Sequence, residues 1–249
     1  MADMNTLVSP DEYRAKLLPG APDALRYDGS GDDPHEVAGM LLLQIPQRAR
    51  VLDVGCGTGS VALVANRGKD NDVWGIEPDP ERAALARARG LNIHCGFLDR
   101  PFIARHGPFD VVVLADVVEH VASPGELLSL AASALSPGGT MFISVPNVAH
   151  WSVRLNLLRG RFDYTETGLL DATHLRWFTE KTIRSLCRNC GLEILSMQHT
   201  AGMGLQEYDA FPWKLLPRRP KRLLVRILVR CLPHLFACQY LLRVRRSAA

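Results

Sequence analysis

Leu52-Asp53-Val54-Gly55-Cys56-Gly57-Thr58-Gly59 sets the end of a short apolar run directly against three alternating glycines. Val51-Leu52-Asp53-Val54 reads as a strand, and residues 58–67 read as the helix after it. Glycines at such a turn remove Cβ atoms, so the backbone can approach a ligand and take positive φ. The start of the helix offers free N–H groups to a carboxylate or phosphate. The next apolar run, Val73-Trp74-Gly75-Ile76-Glu77, ends on an acid that can accept hydrogen bonds from both hydroxyls of a ribose. Loop and acid together point to a cofactor containing adenosine.

Two cofactor classes fit that outline. A nicotinamide dehydrogenase carries G-x-G-x-x-G. Here the glycines stand at 55, 57 and 59, and Asp53 precedes them. An acid at that place repels a pyrophosphate but suits a ligand with an ammonium group and one carboxylate. The spacing therefore favours S-adenosylmethionine (SAM).

Outward from the loop the pattern repeats. Residues 79–89 read as a helix rich in Ala and Arg, and Leu91 to Cys95 as a third strand. Asp110 to Ala115 is a fourth, almost wholly apolar, as a central parallel strand covered on both faces should be. Residues 124–135 read as a helix, and Pro137-Gly138-Gly139 turns the chain into a fifth strand, Thr140 to Val145. Thr179 is an N-cap for a helix at 180–190, stopped by Gly191. Leu192 to Gln198 reads as a sixth strand and Leu235 to Val244 as a seventh. Alternating strands and helices predict a Rossmann-like, doubly wound α/β fold of seven strands, mostly parallel with an antiparallel last strand. A short helix at 10–18 and a further one at 35–45 precede the first strand.

The chain has 249 residues, 47% hydrophobic and 22% charged, which suits one domain with appendages. The expected division is an N-terminal extension over 1–34 and a single domain over 35–249, with cap segments at 146–178 and 199–235. The first residues show neither the basic nor the apolar part of a secretory signal, and no apolar run reaches the ~20 residues of a membrane span. The expectation is a cytoplasmic protein with six reduced cysteines. Cys187 and Cys190 have the spacing of a zinc pair without a second pair, so no metal is expected of them. From residue 210 onward there is no acid and ten bases, Lys214, Arg218, Arg219, Lys221, Arg222, Arg226, Arg230, Arg243, Arg245 and Arg246, which leaves the rest of the chain net acidic.

The run LDVGCGTG resembles the first motif of the class I SAM-dependent methyltransferases. VWGIEPDP, FDVVVLADVVEHV and LSPGGTMFISVPN resemble the second, fourth and fifth. The resemblance spans roughly residues 35–245. It implies that Asp53, Gly55 and Gly57 surround the amino-acid end of SAM and that Glu77 holds the ribose. It also implies that Asp116 and Val117 lie near the sulfonium and the acceptor. Cys56, Pro78, Leu98 and Asp99 complete the expected cofactor set. One position departs from the pattern: relatives place an Asp directly after the glycine that follows strand three, and here that position is Phe97. Either Asp99 replaces it, or backbone and apolar contacts hold the adenine.

Residues 146–178 are dense in aromatic, Arg and His residues and weak in periodicity. They resemble a bacterial subgroup linked to cell-surface sugars and small-molecule pathways, and also the methionine-pathway MetW proteins. Following strand five, the segment should lie over the C-terminal edge of the sheet, where ligands bind. His150, Trp151, Arg154 and Tyr164 are the candidate substrate residues. Methyl transfer to a hydroxyl needs alignment and removal of a proton. His120, His150 and His174 are candidate bases, with His174 and His120 taken as catalytic. Asp116-Val117-Val118-Glu119-His120 also resembles a metal motif of ubiquinone-pathway and small-RNA methyltransferases, although no metal is the expectation adopted. The expected reaction is O-methylation of a sugar or secondary metabolite. The alternative is a methyltransferase-fold partner protein of the MetW type. For the basic C-terminal region, ordinary packing ranks first, a homodimer contact second, an anionic membrane surface third, and nucleic acid is not expected.

Overall fold

A computed structural model describes residues 31–210 and 212–247. The expected helix at 10–18 lies outside the described residues. The rest forms one sheet of seven strands in the order β3-β2-β1-β4-β5-β7-β6. The strands are β1 (Arg50–Val54), β2 (Asp72–Glu77), β3 (Asn92–Cys95), β4 (Phe109–Ala115), β5 (Leu135–Pro146), β6 (Leu192–His199) and β7 (Gln239–Arg246). β7 slots between β5 and β6 and runs antiparallel to both. The other neighbouring pairs are parallel.

The central strands are apolar on both faces because both faces are covered. Leu52, Val54, Val112, Leu114, Met141, Ile143 and Val145 enter one core cluster, and Val51, Val111, Val113 and Phe142 enter a second. The period of two along each strand divides the residues between the clusters. Helix α1 (Val37–Gln44) supplies Val37, Met40 and Leu41 to the second cluster. Between the strands run α2 (Ser60–Ala65), α3 (Pro80–Ala88), α4 (Arg100–His106) and α5 (Pro124–Ser133). After β5 come α6 (Trp151–Leu158), α7 (Glu180–Asn189), α8 (Arg218–Cys231) and α9 (Pro233–Phe236).

The structure revises several expected boundaries. α2 begins two residues late, since Gly59 holds φ +82° as its N-cap. α4 and α6 were not anticipated. α4 is a short helix behind an Asp cap and a proline, Asp99-Arg100-Pro101, which is a readable start signal. β7 begins at Gln239, because Pro233 starts the helical turn of α9. β5 runs unbroken from Leu135, with the expected turn absorbed as a bend at Gly138, φ +80°. Thr179 caps α7 as expected, its hydroxyl accepting from the Thr182 N–H.

Asn147 ties the end of β5 to the chain just before β7. It is wholly buried. Its Nδ2 donates to the Ala237 carbonyl at 2.9 Å, its Oδ1 accepts from the Ala149 N–H at 2.9 Å, and its own N–H donates to the Cys238 carbonyl at 2.8 Å. Asn147→Ala strands one buried acceptor and one donor, so it should lower stability by about 2–4 kcal/mol. Urea unfolding checks this, and an unchanged midpoint would remove Asn147 from that role.

Candidate functional site

The C-terminal ends of β1, β2 and β4 lie side by side. Asp53 pairs with Gly75 on one flank and Val113 on the other. The loop after β1 takes φ of +71° at Gly55, +55° at Gly57 and +82° at Gly59, a region that favours glycine. Gly55 has a second reason to lack a side chain: a Cβ there would sit 2.8 Å from Cγ2 of Val117. Likewise a Cβ on Gly75 would sit 2.6 Å from the Cys56 sulfur. The N–H groups of Gly55 and Cys56 both donate to the Ile76 carbonyl, at 2.7 and 3.0 Å.

Glu77 is held by the backbone. Its Oε2 accepts from the Gly57 N–H at 2.8 Å and its Oε1 from the Asp79 N–H at 2.9 Å. Burial raises its pKa, and those two N–H groups oppose the rise. The acid meant for a ribose therefore also braces the glycine loop. Asp53 is only 2% exposed, and its Oδ2 has no hydrogen-bond partner. Burial pushes its carboxyl up to about 7, and the neighbouring Glu77 adds to the rise. Burial also raises the Cys56 thiol. A buried, unpaired carboxylate beside a second acid fits a ligand that brings a cation, as the ammonium of SAM does, and opposes a pyrophosphate.

The residues expected around the adenine follow β3. Leu98 is buried. Asp99 accepts from the Phe102 N–H at 2.7 Å and caps α4, which commits one of its oxygens to the helix. Phe97, in the position relatives give to Asp, is 77% exposed.

Beyond β4, Asp116 sits in the left-handed region at φ +55°. Its N–H donates to Ser144 Oγ at 2.9 Å. Its Oδ1 accepts from Ser144 Oγ at 2.8 Å, and its Oδ2 accepts from Gln239 Nε2 at 2.7 Å. Its carboxylate is thus turned onto β5 and β7, away from the metal-type grouping that the sequence motif suggested. Three other side chains do converge. Glu119, His120 and His174 each offer a ligand atom, and these atoms lie within 4.8 Å of one another. The two imidazole rings meet edge to face at 4.8 Å. The N–H groups of Leu175 and Arg176 donate to the Glu119 carbonyl at 2.8 and 3.0 Å, which ties the late segment onto the turn after β4. Glu119 is 1% exposed and neither carboxylate oxygen has a hydrogen-bond partner. Burial raises its pKa well above the ordinary value, and the charge of Asp116 adds to this.

The tautomer of His120 follows from its neighbours. Nδ1 lies 3.1 Å from Thr173 Oγ1 and 3.2 Å from the Thr173 carbonyl. The Thr173 hydroxyl proton goes to Asp171 Oδ1 at 2.7 Å. Both groups facing Nδ1 are then acceptors, so Nδ1 carries the proton and Nε2 is the basic nitrogen.

The four candidate substrate residues do not gather at one place. His150 is buried and caps α6, with Nδ1 2.9 Å from Ser152 Oγ and Nε2 3.4 Å from the Tyr208 hydroxyl. Burial brings its pKa down to about 4, so it is neutral near pH 7. It presents no surface to a ligand, and its role as substrate residue or base gives way to a structural one. Trp151 packs against Tyr208 and Trp213. Arg154 is exposed, and its Nε donates to the Ala149 carbonyl. Tyr164 belongs to a separate aromatic group with Phe162 and Trp177.

A family model described as a methyltransferase domain matches residues 33–197. The chain is 34% identical over 134 residues to the tRNA 5-carboxymethoxyuridine methyltransferase of Escherichia coli strain K12, covering 50% of each chain. It is 35% identical over 127 residues to the ubiquinone biosynthesis O-methyltransferase of Caulobacter sp. strain K31, covering 48% of this chain and 45% of that one. The chain thus spans about half the length of the curated relatives it matches. In fold it is similar to a chain in the complex between the Haloferax volcanii Trm112 methyltransferase activator and a methyltransferase, at TM-score 0.61 and 21% identity, covering 91% of this chain and 95% of that one.

The unpaired Asp53 has a consequence for stability. Its folded-state pKa of about 7 exceeds the ordinary 3.8, so the native state binds its proton more tightly than the unfolded chain. The penalty is absent at low pH, grows as pH rises between about 4 and 7, and is complete above that window. Asp53→Asn should flatten this decline and leave the ligand-free protein more stable than wild type at pH 8. Thermal melts across that range test it, and parallel profiles for the two proteins would refute the assignment.

Proposed function

Because this chain belongs to the methyltransferase-domain family, a class of SAM-dependent enzymes, we propose that it moves the methyl group of SAM to a hydroxyl of a small-molecule acceptor. A sugar or secondary metabolite is the acceptor class. The observation that carries the chemistry is the His120–Thr173–Asp171 chain, which leaves His120 Nε2 as a base just after β4. Val117, three residues before it, packs against Gly55 of the cofactor loop.

In this reading Asp53 receives the ammonium of SAM and Glu77 the ribose hydroxyls. The acceptor oxygen attacks the methyl carbon in line. The carbon–sulfur bond breaks with its electron pair going to sulfur, and the hydroxyl proton passes to His120 Nε2. The products are a methyl ether, S-adenosylhomocysteine and a proton. Thr173 and Asp171 hold the imidazole in the tautomer that can accept that proton.

Glu119, His120 and His174 also fit a divalent cation, since a buried carboxylate without a partner stands beside two imidazoles. A cation there would supply Lewis acidity that lowers the pKa of a hydroxyl. Wild-type turnover that survives exhaustive treatment with EDTA would rule this second reading out.

The names of the relatives divide between a ubiquinone-pathway and a tRNA substrate, so the acceptor is identified by experiment. Labelled methyl-SAM incubated with host extract should give a labelled product of low molecular mass. Label in RNA would move the substrate class. Tight SAM binding with no labelled product, and a co-purifying partner chain, would favour the regulatory alternative. His120→Gln should lower kcat by about 10²–10⁴-fold while the calorimetric Kd for SAM stays near the wild-type value. Undiminished turnover in that variant would exclude His120 as the base.

A further inference from the structure

We propose that α8 lies flat on the surface of an anionic phospholipid bilayer. The argument rests on how its residues fall in rows of four along the helix, where positions four apart share a face. Lys221, Val225 and Val229 form the first row, and all three are buried. This row fastens the helix to the body: Lys221 Nζ donates to the Tyr208 carbonyl at 2.6 Å and to Asp209 at 3.2 Å. Arg222, Arg226 and Arg230 form the next row. Arg222 and Arg230 are exposed, and Arg226 reaches Asp33 at 3.6 Å. Leu223, Ile227 and Cys231 form the third, with Leu223 62% and Ile227 49% exposed. Leu224, Leu228 and Leu232 form the fourth.

Three of these features belong to an interfacial helix. An arginine row flanks an apolar strip, the strip faces away from the packed row, and both run the length of the helix. Packing onto the sheet, the first-ranked expectation for this region, accounts for only one row. It leaves the row of Leu223, Ile227 and Cys231 in water, with Leu224 39% exposed beside it and Leu215, just before the helix, 68% exposed. Charge selects the occupant. α8 itself contains no acid, and its Arg218, Arg219, Arg222 and Arg230 are exposed, so an anionic surface is attracted and a neutral one is not. The helix has 14 residues, and no helix among the described residues is long and apolar enough to cross a membrane. The contact is therefore with the headgroup region and the upper part of the acyl chains. This proposal is independent of the acceptor, because it concerns a face built from α8 alone.

The test is co-sedimentation of the full chain with vesicles of phosphatidylcholine alone, or of seven parts phosphatidylcholine to three parts phosphatidylglycerol. At low ionic strength the bound fraction should be at least about tenfold higher on the anionic vesicles and should fall as salt is added. The double variant Leu223→Glu with Ile227→Glu should lose binding to the anionic vesicles at least about tenfold. Arg222→Gln with Arg230→Gln should weaken binding and reduce its dependence on salt. All these positions are exposed, so circular dichroism and the Kd for SAM should match wild type, and they report any misfolding separately. Three results would overturn the proposal. One is no sedimentation with anionic vesicles at low salt. Another is light scattering that finds a wild-type dimer which the leucine variant dissolves, without lipid binding. The third is tRNA binding that survives the leucine changes and disappears with the arginine changes, again without lipid binding.

Discussion

The packing of Val117 against Gly55 fixes how the ends of β1 and β4 meet. No side chain fits at Gly55, since a Cβ would lie 2.8 Å from the valine methyl. The glycine is thus required twice, once for its positive φ and once for the room it leaves. That contact holds the cofactor loop against the start of the segment carrying Glu119 and His120. The register of β1 with β2 does the same on the other flank, placing Glu77 where both its oxygens are met by loop N–H groups. Loosening either flank would move Asp53 and Glu77 relative to the imidazoles.

Four acids crowd this edge of the sheet, and the way each is satisfied separates scaffold from chemistry. Glu77 has both oxygens on backbone N–H groups, and Asp116 has both on Ser144 and Gln239. These two are fixed. Asp53 and Glu119 are just as buried but keep oxygens with no hydrogen-bond partner. Burying an unpaired carboxylate is unfavourable, and the upward pKa of each records that. A fold tolerates such groups where a ligand supplies the missing charge. In the proposed reading Asp53 receives a cationic donor, while the Glu119 oxygens stand beside two imidazoles without a hydrogen bond to either.

How much of this was legible depended on whether the signal was local. The glycine spacing, the acid ending β2 and the apolar β4 are read within a few residues, and they give the glycine turn after β1 and the parallel strands around it. Thr179 was legible as a cap for the same reason. The aperiodic 146–178 segment was not. His150 looked like a ligand residue because it sits among aromatic and basic neighbours, yet Tyr208, 58 positions away, closes over it. His174 meets His120 only because backbone bonds to Glu119 bring the two segments together. The cap at Asp99, like that at Thr179, is local, written in Asp99-Arg100-Pro101 ahead of α4.

The basic C-terminal region shows the same division at the level of a helix. A row of arginines beside leucines can be read from spacing alone, and spacing cannot say which row the body covers. The answer comes from Lys221, whose ammonium is held by Tyr208 and Asp209 and which turns the valine row inward. Once that row is fixed, the pitch of the helix leaves Leu223 and Ile227 outward and the arginines beside them. A lysine is an unusual residue to bury. Its burial here fastens the helix without using its leucines, and so leaves the apolar strip available to a partner outside the fold.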